Sequence, residues 1–451
     1  MNKQIFIKTA FLIAVPIVIQ NLISLGLNLV DTIMIGELGV NELAAVGAAN
    51  KVYFIFSTIC FGIYSGGAIY VSQYWGKGDV ASIKKVMVID YWTGLSLSIV
   101  VCGVAFIFAD SIIWLFAKEP VVIALGSEYL RITCFTYILT AVSFAINFNS
   151  RSIHQLKLPT LINALALICN TVLNYGLIFG NFGLPRLGVS GAAIATLIAR
   201  FVEFVLMLLF VYGSGDHPLA VSVQSLLHVD VTLFKKLMRT ALPVVASEGA
   251  WSIGTSVFYI AYGLLGTSAI AVVQVASVVN DLFQCMFFGV GNASAVMIGN
   301  ELGRNREDLA YHYGKIFTMI SFVLCIFVTF GLLASRNLII DFYNYDASTN
   351  ALLYDVLAVY AWYMTPKMID YTLVCGVLRS GGDTKFCMIL DFIGIWVVAI
   401  PLSFFGAVVL KLPLAAVVSL SFCDELIKAL VVLFRFKSRK WIKLKLNQAL
   451  V

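Results

Sequence analysis

The sequence predicts an all-α integral membrane protein with twelve transmembrane helices. We expect two six-helix lobes related by a pseudo-two-fold axis along the membrane normal. Of the 451 residues, 61% are hydrophobic and only 12% are charged, whereas soluble domains carry about 25% charged residues. A bilayer core requires ~20 apolar residues per helix, and about a dozen such runs follow one another along the chain.

An internal repeat divides the chain, because the first half recurs in the second at an offset of 227 residues without a gap. The matched positions are Pro16 with Pro243, Gly36 with Gly263, Gly39 with Gly266, and Gly76-Lys77 with Gly303-Arg304. Glycine and proline set backbone geometry rather than fill space. Their agreement in one frame therefore indicates a duplicated fold.

The apolar runs place six spans in each half. Those of the first half lie near residues 9–35, 46–74, 86–108, 125–149, 159–180 and 188–213. Those of the second lie near residues 240–263, 270–299, 313–334, 352–378, 386–409 and 413–434. This predicts an N-terminal lobe over 1–213, a cytoplasmic linker over 214–239, and a C-terminal lobe over 240–451 with a basic cytoplasmic tail.

The distribution of basic residues predicts the orientation. Lys and Arg concentrate in the termini and the even-numbered loops, whereas the opposite loops carry only Lys118, Arg186, Arg336 and Lys411. Basic loops stay in the cytoplasm, so we expect a multi-pass protein of the inner or plasma membrane with both termini cytoplasmic. The basic tail after Phe434, with Trp441 as an aromatic anchor, is expected on the anionic inner leaflet rather than on nucleic acid.

Several classes of site are excluded. The nine cysteines stand singly in apolar runs and the four histidines are scattered, which favours neither a disulfide framework nor a zinc site. The glycine-containing turn segments at residues 73–79, 299–305 and 378–384 lack the strand and spacing of a phosphate loop and are expected to cap helices. We predict a protein that is not an enzyme and needs no cofactor.

Polar residues form one face of two spans in the first half. Gln20, Ser24, Asn28 and Asp31 follow helical spacing in span 1, and Asn163, Asn170 and Asn174 do so in span 5. A carboxylate inside the bilayer costs ~2.5–3.5 kcal/mol on insertion scales, so Asp31 is predicted to take up a cation in a wet cavity. The alternatives are a hydrogen-bonded buried acid or an acid hydrated near the outer end. Asn163 is interpreted as a residue that hydrogen-bonds between helices. For Asn170 and Asn174, both this structural role and a role in cation coupling stay open.

The second half carries its own polar faces. These are Glu248, Ser252, Thr255 and Tyr259 in span 7, Gln274, Ser277, Asp281 and Gln284 in span 8, and Lys367 with Asp370 in span 10. Glu248 is predicted to be functional, whereas Asp370 has the alternative of an ion pair with Lys367 three residues earlier. Arg200 and Glu203 are predicted to form such a structural pair. Asp391, Asp424 and Glu425 receive no role.

Several of these segments together resemble the multidrug and toxic compound extrusion (MATE) family. They are Pro16 with the run Asn28 to Gly36, Gln73 with Gly76, the segment Gly180 to Thr196, and Leu378-Arg379 with Gly382-Asp383-Thr384. The resemblance implies two lobes around a cleft and antiport of drugs against Na⁺ or H⁺. It implies that Asp31 is the first-lobe acid and Glu248 the span-7 acid of the bacterial multidrug branch. Asp370 lies near that branch's span-10 acid, but Pro366 stands about where the family has a tyrosine.

These observations predict a monomeric secondary antiporter that exports organic, cationic and amphipathic drugs or toxic metabolites in exchange for Na⁺ or H⁺. The expected coupling residues are Asp31, Glu248, Asp370, Asn170 and Asn174, with Na⁺ at Glu248 or Asp31. The expected cleft residues are Gln20, Asn28, Tyr259, Gln274, Asp281 and Gln284. The alternatives are a flippase for a lipid-linked saccharide, which would need a basic cavity, and a channel.

Overall fold

The computed structural model describes residues 3–213, 215–343 and 345–444. Within these ranges the chain is helical, and no strand is found. The helices of the first half are α1 (Lys3–Gly36), α2 (Val40–Lys77), α3 (Val80–Ile107), α4 (Ala109–Phe116), α5 (Pro120–Thr133), α6 (Phe135–Ser152), α7 (Lys157–Phe179) and α8 (Gly188–Tyr212). A short helix α9 (Val223–Leu226) follows.

The second half contains long helices and several irregular turns. Its α-helices are α10 (Val231–Gly263), α11 (Thr267–Gly303), α12 (Glu307–Tyr343), α13 (Ala347–Tyr371), α14 (Thr384–Phe392), α15 (Ile400–Phe404), α16 (Leu414–Ser421) and α17 (Cys423–Lys437). π-Helical segments at Thr372–Leu378, Ile393–Ala399 and Phe405–Val409 and a 3₁₀ turn at Arg379–Gly381 continue the chain between them. Such π turns occur frequently at functional sites.

Every predicted span lies within one helix or one run of consecutive helices, which confirms the all-α membrane fold. Among the described residues, eight helices are long and apolar enough to cross a membrane. The pair α5 and α6, bent by 45° at their junction, makes a ninth. This bend inside the span predicted at 125–149 was not foreseen. The count of twelve spans and the pseudo-two-fold axis stay predictions.

The described chain packs into two compact units. Unit 1 comprises Met1–Val18 and Ala246–Val451, and unit 2 comprises Ile19–Val245. Helices α1 and α10 each contribute to both units, and the two boundaries are equivalent in the 227-residue repeat, two residues after Pro16 and Pro243. Each proline lacks the N–H that would bond the preceding turn. The lobe boundaries at 213 and 240 differ from these limits and stay predictions.

In unit 2, hydrogen bonds and close backbone approach hold the helices together. The Tyr64 hydroxyl of α2 donates to the Ala141 carbonyl of α6 at 2.7 Å. Helix α8 approaches α7 so closely that a Cβ on Gly191 would lie 2.5 Å from the Leu177 carbonyl oxygen. Glycine is therefore required at position 191. The resulting α7–α8 hairpin presents the polar face of α7 to the rest of the unit.

The predicted linker at 214–239 is partly helical, since α10 begins at Val231. Its described residues pack on unit 2, where the Trp92 indole N–H donates to the Leu226 carbonyl at 2.7 Å. Asp230 caps α10 by accepting from the Leu233 N–H at 3.0 Å and pairs with Lys85 at 3.3 Å. The Leu233 hydrogen bond, and then Lys85, lower the pKa of the Asp230 side chain.

The glycine turns end helices, as predicted. Gly78 adopts φ +79° after α2, and Gly382 adopts φ +86° after the 3₁₀ turn. In the turn that ends α11, the residue in the left-handed conformation is Asn305, at φ +58°, rather than a glycine.

The prediction that Trp441 is a membrane anchor was wrong. Trp441 is fully buried in unit 1, and the backbone N–H groups of Lys443 and Leu444 donate to the Gly381 carbonyl at 2.8 and 2.9 Å. The physical reason is the buried carboxylate of Asp383, which pairs with Arg435 at 2.7 Å and with Lys443. The tail therefore docks on its own unit as far as Leu444, while the predicted basic residue Lys445 lies outside the described residues.

Candidate functional site

A cavity of about 440 Å³ lies inside unit 2 and contains the first-half acid. Its polar and aromatic lining includes Asn28, Asp31, Tyr53, Tyr129, Tyr137, Asn170, Asn174, Thr196 and Arg200. Drug-sized ligands bind in cavities of about 300–1,000 Å³. The structure thus brings together Asp31, Asn28, Asn170 and Asn174, which were predicted from two separate spans.

Hydrogen-bond donors surround the Asp31 carboxylate. We assign the Asn170 amide with its nitrogen toward Asp31, because this orientation gives both ends of the amide a hydrogen-bond partner. Its Nδ2 then donates to Asp31 Oδ2 at 2.7 Å, and its oxygen accepts from Thr196 N and Oγ1, both at 3.3 Å. The Thr171 hydroxyl donates to Asp31 Oδ1 at 3.4 Å, and Asn174 adds a further side-chain hydrogen bond. Asp31 is therefore supported by neutral donors.

Within the described residues, Asp31 forms no ion pair with a basic side chain. The cavity's arginine, Arg200, donates instead to Glu203 at 2.6 Å, which confirms the predicted pair. The Arg200 guanidinium also lies 5.8 Å from the centre of the Tyr53 ring. Among the described residues that line the cavity, Asp31 is thus a carboxylate without a basic partner, and Arg200 and Glu203 neutralise each other.

The remaining first-half candidates lie away from Asp31. Gln20 does not line the described cavity. Asn163 is buried on α7, with its amide nitrogen unpartnered among the described residues. Only part of the polar face of each span therefore reaches the cavity.

In unit 1, Glu248 is held by a buried arginine. Arg379, which directly follows the first π-helical segment, donates from Nη1 to Glu248 Oε1 at 2.8 Å. Its Nη2 lies 3.3 Å from Ser247 Oγ and 3.8 Å from Asp391 Oδ2, and Ser247 also donates to Asp391. Glu248 is thus a partner in a salt-bridge network, whereas Asp31 is not.

Asp370 pairs with a lysine other than Lys367, the partner that the sequence analysis gave as the alternative to a coupling role. Lys428 on α17 lies 3.7 Å from Asp370, 3.3 Å from Asp424 and 3.2 Å from Glu425. Lys367 donates to Gln284 at 3.4 Å instead. The partner of Asp370 comes from α17, 58 residues further along the chain.

The other second-half candidates form a looser polar surface in unit 1. The Tyr259 hydroxyl lies 3.1 Å from Ser277 Oγ, which lies 3.2 Å from the Tyr360 hydroxyl. Asp281 accepts from Asn280 at 3.2 Å, and both Asp281 and Gln274 are exposed. These contacts do not place them in one enclosed site.

The sequence analysis assigned no ionic role to five residues that form ion pairs inside unit 1, namely Arg379, Asp391, Asp424, Glu425 and Lys428. One signal was available, because Asp424 and Glu425 stand four and three residues before Lys428, on one helix face. The role of Arg379 could not be predicted from neighbouring residues in the sequence, because its partners lie on α10 and α14.

Comparison with known proteins supports the fold. The chain is 27% identical over 411 residues to "Probable multidrug resistance protein NorM" of Bradyrhizobium diazoefficiens, covering 88% of this chain and 86% of that one. It is 25% identical over 402 residues to the protein of the same name from Streptococcus pneumoniae, covering 88% and 87%.

Solved structures share the architecture. The crystal structure of MATE in the bent conformation matches with a TM-score of 0.88 at 18% identity, over 96% of both chains. A MOP superfamily transporter from Pyrococcus furiosus matches with a TM-score of 0.86 at 19% identity, over 96% of this chain and 95% of that one.

The sequence model of the MatE family matches twice, over residues 16–176 and 243–405. The matches begin 227 residues apart (243 minus 16), at Pro16 and Pro243, which confirms the frame of the internal repeat. Together they cover most of the chain, and this chain therefore belongs to the MatE family of membrane transporters.

Proposed function

We propose that this protein is a secondary active antiporter that exports organic amphipathic cations from the cytoplasm in exchange for protons bound by Asp31. The observation that carries the proposal is a carboxylate that has no basic partner among the described residues and lies in a cavity of about 440 Å³ in unit 2. An intramembrane acid of this kind marks an ion or substrate pathway.

The cavity suits an organic cation. Tyr53, Tyr129 and Tyr137 line it together with Asp31. Tyrosine faces attract cations by about 0.5–2 kcal/mol, and a carboxylate attracts them further in a site of low dielectric constant. The bacterial relatives named as multidrug resistance proteins support drugs or toxic metabolites as the exported compounds.

The neighbours of Asp31 favour a proton as the coupling ion. Asn170 and Thr171 present N–H and O–H donors to the carboxylate. Hard metal cations require several oxygen ligands, so a donor-rich shell suits an ionised acid that exchanges with its protonated form. Because a proton and an organic cation would neutralise the same carboxylate, binding of one favours release of the other.

An ion gradient across the membrane can supply enough energy to drive drug export. Each elementary charge that moves down 100 mV supplies about 2.3 kcal/mol, and about 1.4 kcal/mol corresponds to a tenfold concentration ratio. We therefore propose a cofactor-independent transporter of the plasma membrane with both termini cytoplasmic, rather than an enzyme. Its monomeric state stays a prediction.

A flippase for a lipid-linked saccharide would need a basic cavity for its anionic head group. In the described part of the cavity the arginine is Arg200, and Glu203 already pairs with it. The charge of the cavity therefore favours a cationic substrate.

The test is ethidium efflux from proteoliposomes under separately imposed H⁺ and Na⁺ gradients. We expect efflux to follow the H⁺ gradient alone. Efflux that follows only a Na⁺ gradient would overturn the assignment of the ion. Dissipating ionic current in the absence of drug would favour a channel instead.

A further inference from the structure

Three carboxylates in unit 1 converge on one ammonium group. Lys428 Nζ lies 3.2 Å from Glu425, 3.3 Å from Asp424 and 3.7 Å from Asp370. The exposed fraction is 3% for Lys428, 3% for Asp424 and 7% for Asp370. The Glu425 side chain is 12% exposed, so this arrangement, which we name the Lys428 cage, is largely shielded from solvent.

The Lys428 cage has more acid than base. Asp370 Oδ1 and Glu425 Oε2 are buried and have no hydrogen-bond partner among the described residues. Several carboxylate oxygens around one positive charge form the donor set that a hard cation takes. An ammonium group has three N–H donors and cannot satisfy every oxygen of three carboxylates.

Two other bases nearby, the partly buried Lys367 and the buried Arg379, have partners of their own. Lys367 Nζ lies 3.4 Å from Gln284 Oε1. Arg379 holds Glu248 at 2.8 Å and Asp391 at 3.8 Å. Among the described residues, Lys428 is the base that lies within 4 Å of all three carboxylates, while the charge of the more distant Lys367 also acts on Glu425 and Asp424.

We propose that Lys428 is a tethered cation that occupies a monovalent-cation site formed by Asp370, Asp424 and Glu425. Lys428 thereby determines ion specificity, because unit 1 carries its positive charge covalently and does not bind Na⁺. The consequence of this inference for ion coupling rests on the proposed function. It also explains why the Na⁺ site that the sequence analysis expected in the second half does not match the residues found there.

Removing the ammonium group should expose the site. Lys428→Met keeps an unbranched side chain and deletes the charge, which leaves three carboxylates without a base. A buried unpaired carboxylate is strongly unfavourable, so the variant should recruit a small cation from solution. Lys428→Arg is the matched control, because it retains a positive charge.

The experiment compares thermal unfolding of the purified full-length protein in NaCl and in choline chloride of equal ionic strength. The parent and Lys428→Arg should unfold at the same temperature in both salts. Lys428→Met should unfold several degrees lower in choline, and Na⁺ should restore much of the loss in a saturable manner. Asp370→Asn in the Lys428→Met background should weaken this response to Na⁺.

If Lys428→Met is not folded in either salt, Lys428→Met with Asp424→Asn replaces it, since two carboxylates remain to bind Na⁺. The proposal is overturned if the folded variant unfolds at equal temperatures in the two salts. It is also overturned if Na⁺ stabilises the parent and Asp370→Asn removes that effect. Neither measurement involves transport, so failure here leaves the role of Asp31 untouched.

Discussion

Arg379 donates to Glu248 across 2.8 Å, joining the end of a π-helical segment to α10. This contact distinguishes Glu248 from Asp31, although the sequence analysis predicted both acids to be functional. Glu248 faces a buried guanidinium, whereas Asp31 faces neutral donors in a cavity. A carboxylate with a fixed cation is a poor site for exchanging ions, so the unit-2 acid is the better candidate for coupling.

Glu248→Gln should reduce stability more than coupling. The change leaves the Arg379 guanidinium with Asp391 at 3.8 Å as its remaining carboxylate, so the loss of stability should stay below the ~3–5 kcal/mol that a buried charge without any partner costs. Denaturant unfolding in detergent measures this loss, and the control that adds Arg379→Gln and Asp391→Asn to Glu248→Gln should recover part of it, because all three charges of the network are then removed. A fully stable Glu248→Gln that no longer responds to the H⁺ gradient would place coupling in unit 1.

Asn170→Ala should slow proton-driven efflux about tenfold or more. It removes a hydrogen bond to Asp31, and hydrogen bonds to charged groups are worth about 1.5–3 kcal/mol. The measurement compares the initial efflux rates of the variant and the parent at a fixed H⁺ gradient. Asn163→Ala is the matched control on the same helix. Equal rates for the two variants would remove Asn170 from the site.

Arg200→Met should destabilise the protein, because it leaves Glu203, which is 2% exposed, without its base. The expected loss is about 3–5 kcal/mol. Replacing both residues by methionine should recover most of it, since no buried charge remains. Unfolding free energies of the two single variants and the double variant test this. Additive losses would show that the two residues do not act as a pair.

Trp441→Ala should cost about 3–5 kcal/mol, the range for deleting a buried aromatic side chain, because Trp441 is fully buried. Trp362→Ala in the same unit serves as the control, since its side chain is 64% exposed, and exposed substitutions usually change stability by less than about 0.5 kcal/mol. Thermal unfolding in detergent compares them. Equal unfolding temperatures would mean that the docked tail does not stabilise unit 1.

Local sequence signals predicted the local structure. Apolar runs predicted the spans, and the three-residue spacing of Arg200 and Glu203 predicted their ion pair. The 227-residue repeat predicted the twofold match to the family.

Contacts between distant segments were not predictable in this way. Asp370 had a basic residue three positions earlier, yet its partner came from α17 because Lys367 is taken by Gln284. The basic residues around Trp441 suggested a lipid anchor. The buried Asp383 instead pairs with Lys443 and holds the tail on unit 1. Helical spacing shows which residues share a face but not which helix that face meets.

The most direct test of the account is Asp31→Asn in proteoliposomes with an imposed H⁺ gradient. Asparagine keeps the size of the side chain but cannot take up the proton. The account predicts that the variant folds, still binds ethidium weakly, and no longer accelerates efflux when the H⁺ gradient is applied. Gradient-driven efflux by Asp31→Asn at the parental rate would contradict it.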